Sequence, residues 1–144
     1  MTKVIMHGCN GKMGQVITGI VAADNKIEIV AGVDQFQGIQ NTYPVFDSIE
    51  QCDVEADVVI DFSNAAAVDG LLDYCVSRHL PVVLCTTGLS DTQLEKVEQA
   101  AEQTAVLKSA NMSMGINLLM KLLKDAAKVL APAGYDMELV ERHH

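Results

Sequence analysis

The chain has 144 residues, 49% of them apolar, and its 19 acidic and 10 basic residues give a formal charge of −9. That length fits one domain with a sizeable core, and no apolar run approaches the roughly 18 residues of a membrane helix. A net negative field with no basic cluster argues against nucleic acid as a partner.

Met1-Thr2-Lys3-Val4 lacks the charged, apolar and cleavable segments of a secretory leader, which predicts a cytoplasmic protein. Lys3–His7 (KVIMH) predicts a strand that runs into a glycine-rich turn. Met13–Ala23 follows with Met13, Val16, Ile17, Ile20 and Val21 at helical spacing. Ile27–Val33 predicts a second strand ending at Asp34, and the polar, glycine-containing stretch from Gln35 to Tyr43 reads as loop. Asp57–Phe62 predicts a strand that enters a helix through the N-cap candidates Ser63 and Asn64, with Val68, Leu71, Leu72, Cys75 and Val76 facing a core. Pro81–Cys85 is a further strand. After Thr86-Thr87-Gly88 a helix opens at Ser90, with Gln93 completing a capping box. Ala105–Lys108 predicts a short strand, Ile116–Leu130 an amphipathic helix, and Asp136–Glu141 a last strand. Strands alternating with helices predict a Rossmann-type α/β fold, with a doubly wound, mostly parallel sheet and helices on both faces.

Four cysteines, Cys9, Cys52, Cys75 and Cys85, form no C-x-x-C pair, which predicts reduced, mostly buried thiols and no metal site. The chain stops at His143-His144 directly after its last predicted strand. It is therefore expected to be part of a longer protein.

Gly8-Cys9-Asn10-Gly11-Lys12-Met13-Gly14 lies between a strand and a helix, the context in which spaced glycines cradle a dinucleotide. Gly8 permits the tight turn, Gly11 lets the backbone approach a pyrophosphate, and Gly14 lets the helix pack closely. Asp34 stands 20 residues after Gly14 at a strand end, where a carboxylate accepts hydrogen bonds from adenosine ribose hydroxyls and repels a 2′-phosphate. The expected cofactor is NADH, with NADPH as the alternative, because Lys12 in the loop is able to offset a phosphate. Asp61-Phe62-Ser63, Cys85-Thr86-Thr87-Gly88 and Ser109-Ala110-Asn111-Met112-Ser113 fall at later strand ends. They leave room for a nicotinamide ring and offer hydrogen bonds to its carboxamide. Glu141-Arg142-His143-His144 reads as a general acid, a metal pair or the start of a tag. The general acid is the most useful of the three, since an unperturbed imidazole titrates near neutrality. His7 and His79 read as structural.

GCNGKMG (Gly8–Gly14), VDQ (Val33–Gln35), DFS (Asp61–Ser63), CTTG (Cys85–Gly88), SANMSMGIN (Ser109–Asn117) and ELVERHH (Glu138–His144) together resemble the dihydrodipicolinate (4-hydroxy-tetrahydrodipicolinate) reductases of bacterial diaminopimelate and lysine biosynthesis. The resemblance runs from Lys3 to the end. It implies a tetrameric NAD(P)H-dependent reductase acting on a small dicarboxylate. Gly8, Cys9, Asn10, Gly11, Lys12 and Met13 would hold the pyrophosphate, and Asp34 the adenosine ribose. Cys85, Thr86, Thr87, Ser109, Ala110, Asn111 and Met112 would flank the nicotinamide. His143 would donate the proton and His144 would bind substrate. The resemblance also implies a dinucleotide-binding domain over 1–135, and over 136–144 the start of a substrate-binding domain whose remainder lies outside this sequence. In the family a lysine and a glycine-threonine loop follow the paired histidines. Gln35 stands where many members carry an arginine, and Met112 where an aromatic is common. The alternatives are another Rossmann dehydrogenase, or a nucleotide-binding module without catalysis.

Overall fold

The structure, a computed structural model, describes residues 1–140 and 142. The chain divides into two compact units, Met1–Ala110 and Asn111–His144. In the first unit the elements follow in the order β1 (Thr2–His7), α1 (Lys12–Ala22), β2 (Ile27–Val33), β3 (Val45–Phe46), β4 (Val58–Asp61), α2 (Val68–Arg78), β5 (Val82–Leu84), α3 (Asp91–Ala101) and β6 (Val106–Lys108). The strands form one sheet in the order β3-β2-β1-β4-β5-β6, and each neighbouring pair is parallel. The doubly wound α/β fold expected from the sequence is the fold observed. Strand order reverses between β1 and β4, so the chain leaves those two strands in opposite directions and opens a crevice at their carboxyl ends.

Alternation along the strands builds a core on each face. Ile5 and Val59 join Val68, Leu71, Leu72 and Cys75 of α2 and Val97 and Ala100 of α3. Val4 and Met6 point the other way, where Ile17 and Val21 of α1 cover them. Leu71 and Leu72 are almost wholly buried, and truncating either to alanine would cost about 2–5 kcal/mol. Only part of the α1 stripe is used, since Met13, Val16 and Ile20 are exposed.

Local chemistry sets the helix ends. Ser90 accepts from the Gln93 N–H while the Gln93 side chain takes the Ser90 N–H, a complete capping box. Asn64 also caps, but its partner is the Ala66 N–H. The three alanines Ala65–Ala67 form a single 3-10 turn before α2 begins. His79 ends α2 in the left-handed conformation, with φ of 50°, which agrees with a structural role at a helix terminus.

One strand was not expected from the sequence, and one expected strand is absent among the described residues. Val45–Phe46 forms β3 on the edge of the sheet, immediately after a stretch expected to be loop. Asp136–Val140 takes no strand. A strand exists only through ladder bonds to a neighbour, and among the described residues every ladder lies between Thr2 and Lys108. Glu141 lies outside the described residues. The second unit holds α4 (Met114–Leu130), capped by Ser113, whose hydroxyl accepts from the Ile116 N–H. Its Leu119, Leu122 and Leu123 side chains are exposed. Among the described residues no helix is long and apolar enough to cross a membrane.

Candidate functional site

The turn from β1 into α1 is shaped by its glycines. Gly8 takes a positive φ of 79°, and a Cβ there would come within 2.6 Å of the Phe62 carbonyl. Gly14 packs against the turn so closely that a Cβ would lie 2.6 Å from the Cys9 carbonyl oxygen. Gly11 is different: the nearest atom to its missing Cβ is the Gly8 carbonyl at 3.3 Å, so no close packing inside the protein requires a glycine there. Gly11 is also the N-cap of α1, where no side chain caps the helix and no acid occupies the first turn. Each of the other helices carries an acidic residue in its first turn or a capping serine. The first-turn amides of α1, with the positive end of the helix dipole, are thus left for an anion.

Beside this turn lies a cavity of about 610 Å³ lined by His7, Gly8, Gly11 and Asp34, by Phe36 and Glu50, and on its far side by Asn64, Ala66 and Ala67. Asp34 accepts from the backbone N–H groups of Asn10 and Phe36, each at 2.9 Å. Its carboxylate is therefore fixed while further lone pairs stay available. Asp34, Asp47 and Glu50 all line the cavity, and among the described residues no lysine or arginine does.

The remaining loop residues divide by side chain. Cys9 is buried, and its thiol is pushed up to about 11 by burial and by the charge of Asp34. Its Sγ fills the space above Gly32, so only its backbone faces the turn. Asn10 is buried as well, with both ends of its amide bonded inside the protein. Lys12 and Met13 are exposed.

At the ends of β4 and β5 a different arrangement appears. Asp61 is fully buried and accepts from His7 Nδ1 at 2.8 Å, from the Ser63 hydroxyl at 2.6 Å and from the Thr86 hydroxyl at 2.6 Å. Burial alone would raise its pKa, but the bonds from His7, Ser63 and Thr86 outweigh it and hold the carboxyl below its ordinary value. An ionised carboxylate only accepts, so His7 carries its hydrogen on Nδ1. The hydroxyls of Ser63 and Thr86, expected beside a nicotinamide, give their protons to Asp61 and keep acceptor lone pairs. Cys85 is buried, its thiol raised by burial and by the charge of Asp61, and Thr87 is exposed. All four cysteines are free and buried, as expected.

Gly8, Gly11 and Asp34 are thus brought together at one cavity. Ser109 and Ala110 end the first unit, and the Ser109 N–H donates to the Leu84 carbonyl at 3.1 Å. In the second unit the Asn111 side chain accepts from the Ser113 N–H at 2.8 Å, and Met112 is exposed. His143 and His144 lie outside the described residues. Sequence reasoning missed the part of Asn41, which bonds Asn10, and treated Phe36 as loop. An aromatic two residues after a strand-ending acid was the only signal.

Residues 2–112 match the family described as dihydrodipicolinate reductase, N-terminus. The chain belongs to the dihydrodipicolinate reductase family. It is 49% identical, over all 144 residues, to the 4-hydroxy-tetrahydrodipicolinate reductase of Clostridium novyi, and covers 57% of that protein. The corresponding protein of Caldanaerobacter subterraneus is 46% identical, with 56% of it covered. The dipicolinate-bound dihydrodipicolinate reductase of Paenisporosarcina sp. TG-14 superposes with a TM-score of 0.78 at 26% identity, over 90% of this chain and 54% of that one. The chain spans somewhat more than half the length of the reductases it matches, and corresponds to their N-terminal part.

Proposed function

We propose that this chain supplies the cofactor-binding part of a 4-hydroxy-tetrahydrodipicolinate reductase, with NADH as the preferred cofactor. The observation that carries this reading is the uncapped N-terminus of α1 opening beside the cavity that Asp34 lines. The first-turn amides suit a pyrophosphate, and the anchored Asp34 carboxylate suits ribose hydroxyls. In an acidic protein such local donors are what an anionic ligand requires. When bound, the nicotinamide supplies a hydride, which passes to an unsaturated ring carbon of a small dicarboxylate.

Family membership supports the rest of the assignment. Cys85, Thr86, Thr87 and the segment Ser109–Met112 flank the nicotinamide, His143 donates the proton, and His144 binds substrate. The whole protein is a cytoplasmic homotetramer, with its dinucleotide-binding domain over 1–135 and its substrate-binding domain beginning at 136–144. Because the chain spans only the N-terminal part of its relatives, the 144 residues alone hold the hydride donor without holding the acceptor in near-attack geometry, a loss of roughly 7–11 kcal/mol in orientation.

Titration of the chain with NADH, followed by cofactor fluorescence, tests the binding claim, and saturable binding is expected. Substrate-dependent NADH oxidation should be undetectable with this chain and present in a protein extended to the full length of its relatives. In the extended protein, His143→Gln should lower turnover far more than NADH affinity, because an acid acts in the transition state. No saturable NADH binding would overturn the cofactor assignment, and normal turnover by the His143 variant would overturn the proton donor.

A further inference from the structure

Phe36 stands two residues beyond Asp34, lines the same cavity and is 62% exposed. An exposed aromatic on a loop is ordinarily free to move, but this one is tied at each backbone polar group. Its N–H donates to Asp34 Oδ1 at 2.9 Å, and its carbonyl accepts from Asn10 Nδ2. Its ring lies against the backbone of Gly38, with Cε2 2.8 Å from where a Cβ would stand. Any side chain at position 38 would displace the ring. Asn10 is in turn clamped from both sides. Asn41 Nδ2 donates to its Oδ1 at 2.8 Å, and Gln15 Nε2 donates to its carbonyl at 2.9 Å. With 6% exposure, the Asn10 amide is directed into the protein. Across the cavity the wall is Ala66 and Ala67, whose small side chains leave width for a flat group.

We propose that Phe36 is the face on which the adenine ring of the dinucleotide stacks, and that Asn10 is the positioning residue that holds it there. The inference rests on the dinucleotide reading and adds to it the seat of the base. Of the aromatic side chains in the cavity lining, Phe36 is the exposed one, since Phe62 is half-buried and His7 is buried and bonded to Asp61; a base on such a face is attracted whatever its edge groups. Asn10 joins the glycine-rich turn to this surface, so the pyrophosphate and adenine seats keep a fixed spacing.

The test uses the 144-residue chain and three ligands: NADH, ADP-ribose, and reduced nicotinamide mononucleotide, which lacks adenine. Phe36→Ala should weaken NADH and ADP-ribose on the order of tenfold and leave the mononucleotide unchanged. Phe36→Trp should retain affinity. The chain has no tryptophan, so the emission of that single indole should be quenched by ADP-ribose and not by the mononucleotide. Asn10→Ala should reproduce the Phe36→Ala discrimination and add little to it in the double variant, as coupled residues do. Should Asn10→Ala fail to fold, the two Phe36 variants, altered at an exposed side chain, decide the matter. Wild-type affinity in Phe36→Ala, or equal weakening of all three ligands, would overturn the adenine face while leaving the cofactor assignment standing. A wild-type chain that binds neither NADH nor ADP-ribose would overturn both.

Discussion

On the β1–β2 side of the crevice, polar groups are left open: the first-turn amides of α1 carry no capping side chain, and Asp34, which lines the cavity, is anchored by two backbone N–H groups. On the β4–β5 side, equally polar residues turn inward, and His7, Ser63 and Thr86 all donate to the buried Asp61. Both sides carry the small and hydroxylated residues that mark strand ends in ligand-binding α/β proteins. What separates them is a carboxylate. Where it lies at the rim its lone pairs stay open to the cavity, and where it lies in the core it takes the protons of its neighbours. A hydroxyl-rich strand end beside a buried acid therefore offers a ligand acceptor lone pairs rather than donors.

The largest expected effect comes from closing the β1–α1 turn. Gly14→Val would drive a side chain into the backbone of Cys9 and Gly8, which has to shift to admit it. A loss of about 3 kcal/mol or more in urea denaturation is expected. A stable, cofactor-binding Gly14→Val protein would show that the close packing here is dispensable.

Asp61→Asn probes the inward-facing half. It removes the charge from three donors and sets an N–H against one of them, costing about 2–3 kcal/mol. The pH dependence has a definite sign. The folded carboxyl lies below its unfolded value, so its contribution is complete above the ordinary carboxylate pKa of about 3.9 and is lost as pH falls through the lower folded value. Wild-type stability should therefore decline more steeply than that of the variant in acid. Parallel acid profiles would show that Asp61 is not held ionised by its neighbours.

Gly11→Val probes the outward-facing half. Its Cβ would meet only the Gly8 carbonyl, at 3.3 Å, so stability should change by less than about 1 kcal/mol. The side chain would occupy the space that a pyrophosphate must enter. NADH affinity should fall on the order of a hundredfold or more, about 2.7 kcal/mol. Unchanged affinity would make this loop a turn and nothing else.

The outward-facing half was the more legible in sequence because each of its devices is local. A glycine spacing between strand and helix, and an acid at the next strand end, require no knowledge of distant contacts. The Ser90–Gln93 capping box is readable for the same reason. The inward-facing half depends on residues 54 and 25 positions apart meeting at one carboxylate, which no periodicity encodes. β3 escaped notice because two residues cannot display an alternation, and its pairing is supplied wholly by β2. Asp136–Val140 misled in the opposite way, since alternation states which face would be buried and not whether a neighbour exists. Asn10 belongs to the glycine-rich turn that the sequence singles out, but its amide bonds sideways to Phe36 and Asn41, partners that only the fold brings near.

The smallest effect expected is the choice between NADH and NADPH, and it sharpens the picture of the open half. Asp34, Asp47 and Glu50 line the cavity with no compensating lysine or arginine among the described residues. A 2′-phosphate on the ribose would bring about two further negative charges against Asp34. At the effective dielectric of a protein surface such repulsion reaches a few kcal/mol at contact, and solvent reduces it. A preference for NADH of about tenfold is expected at moderate ionic strength. Because the discrimination is repulsive, raising the salt should narrow it by strengthening NADPH binding relative to NADH. Lys12 is exposed at the start of α1 and is the one loop cation able to work against the trend. Lys12→Ala should widen the preference if its ammonium reaches the phosphate, and leave the ratio unchanged if it does not. Tighter binding of NADPH by the wild-type chain, reversed in Lys12→Ala, would show that the loop rather than the strand-end acid sets the choice.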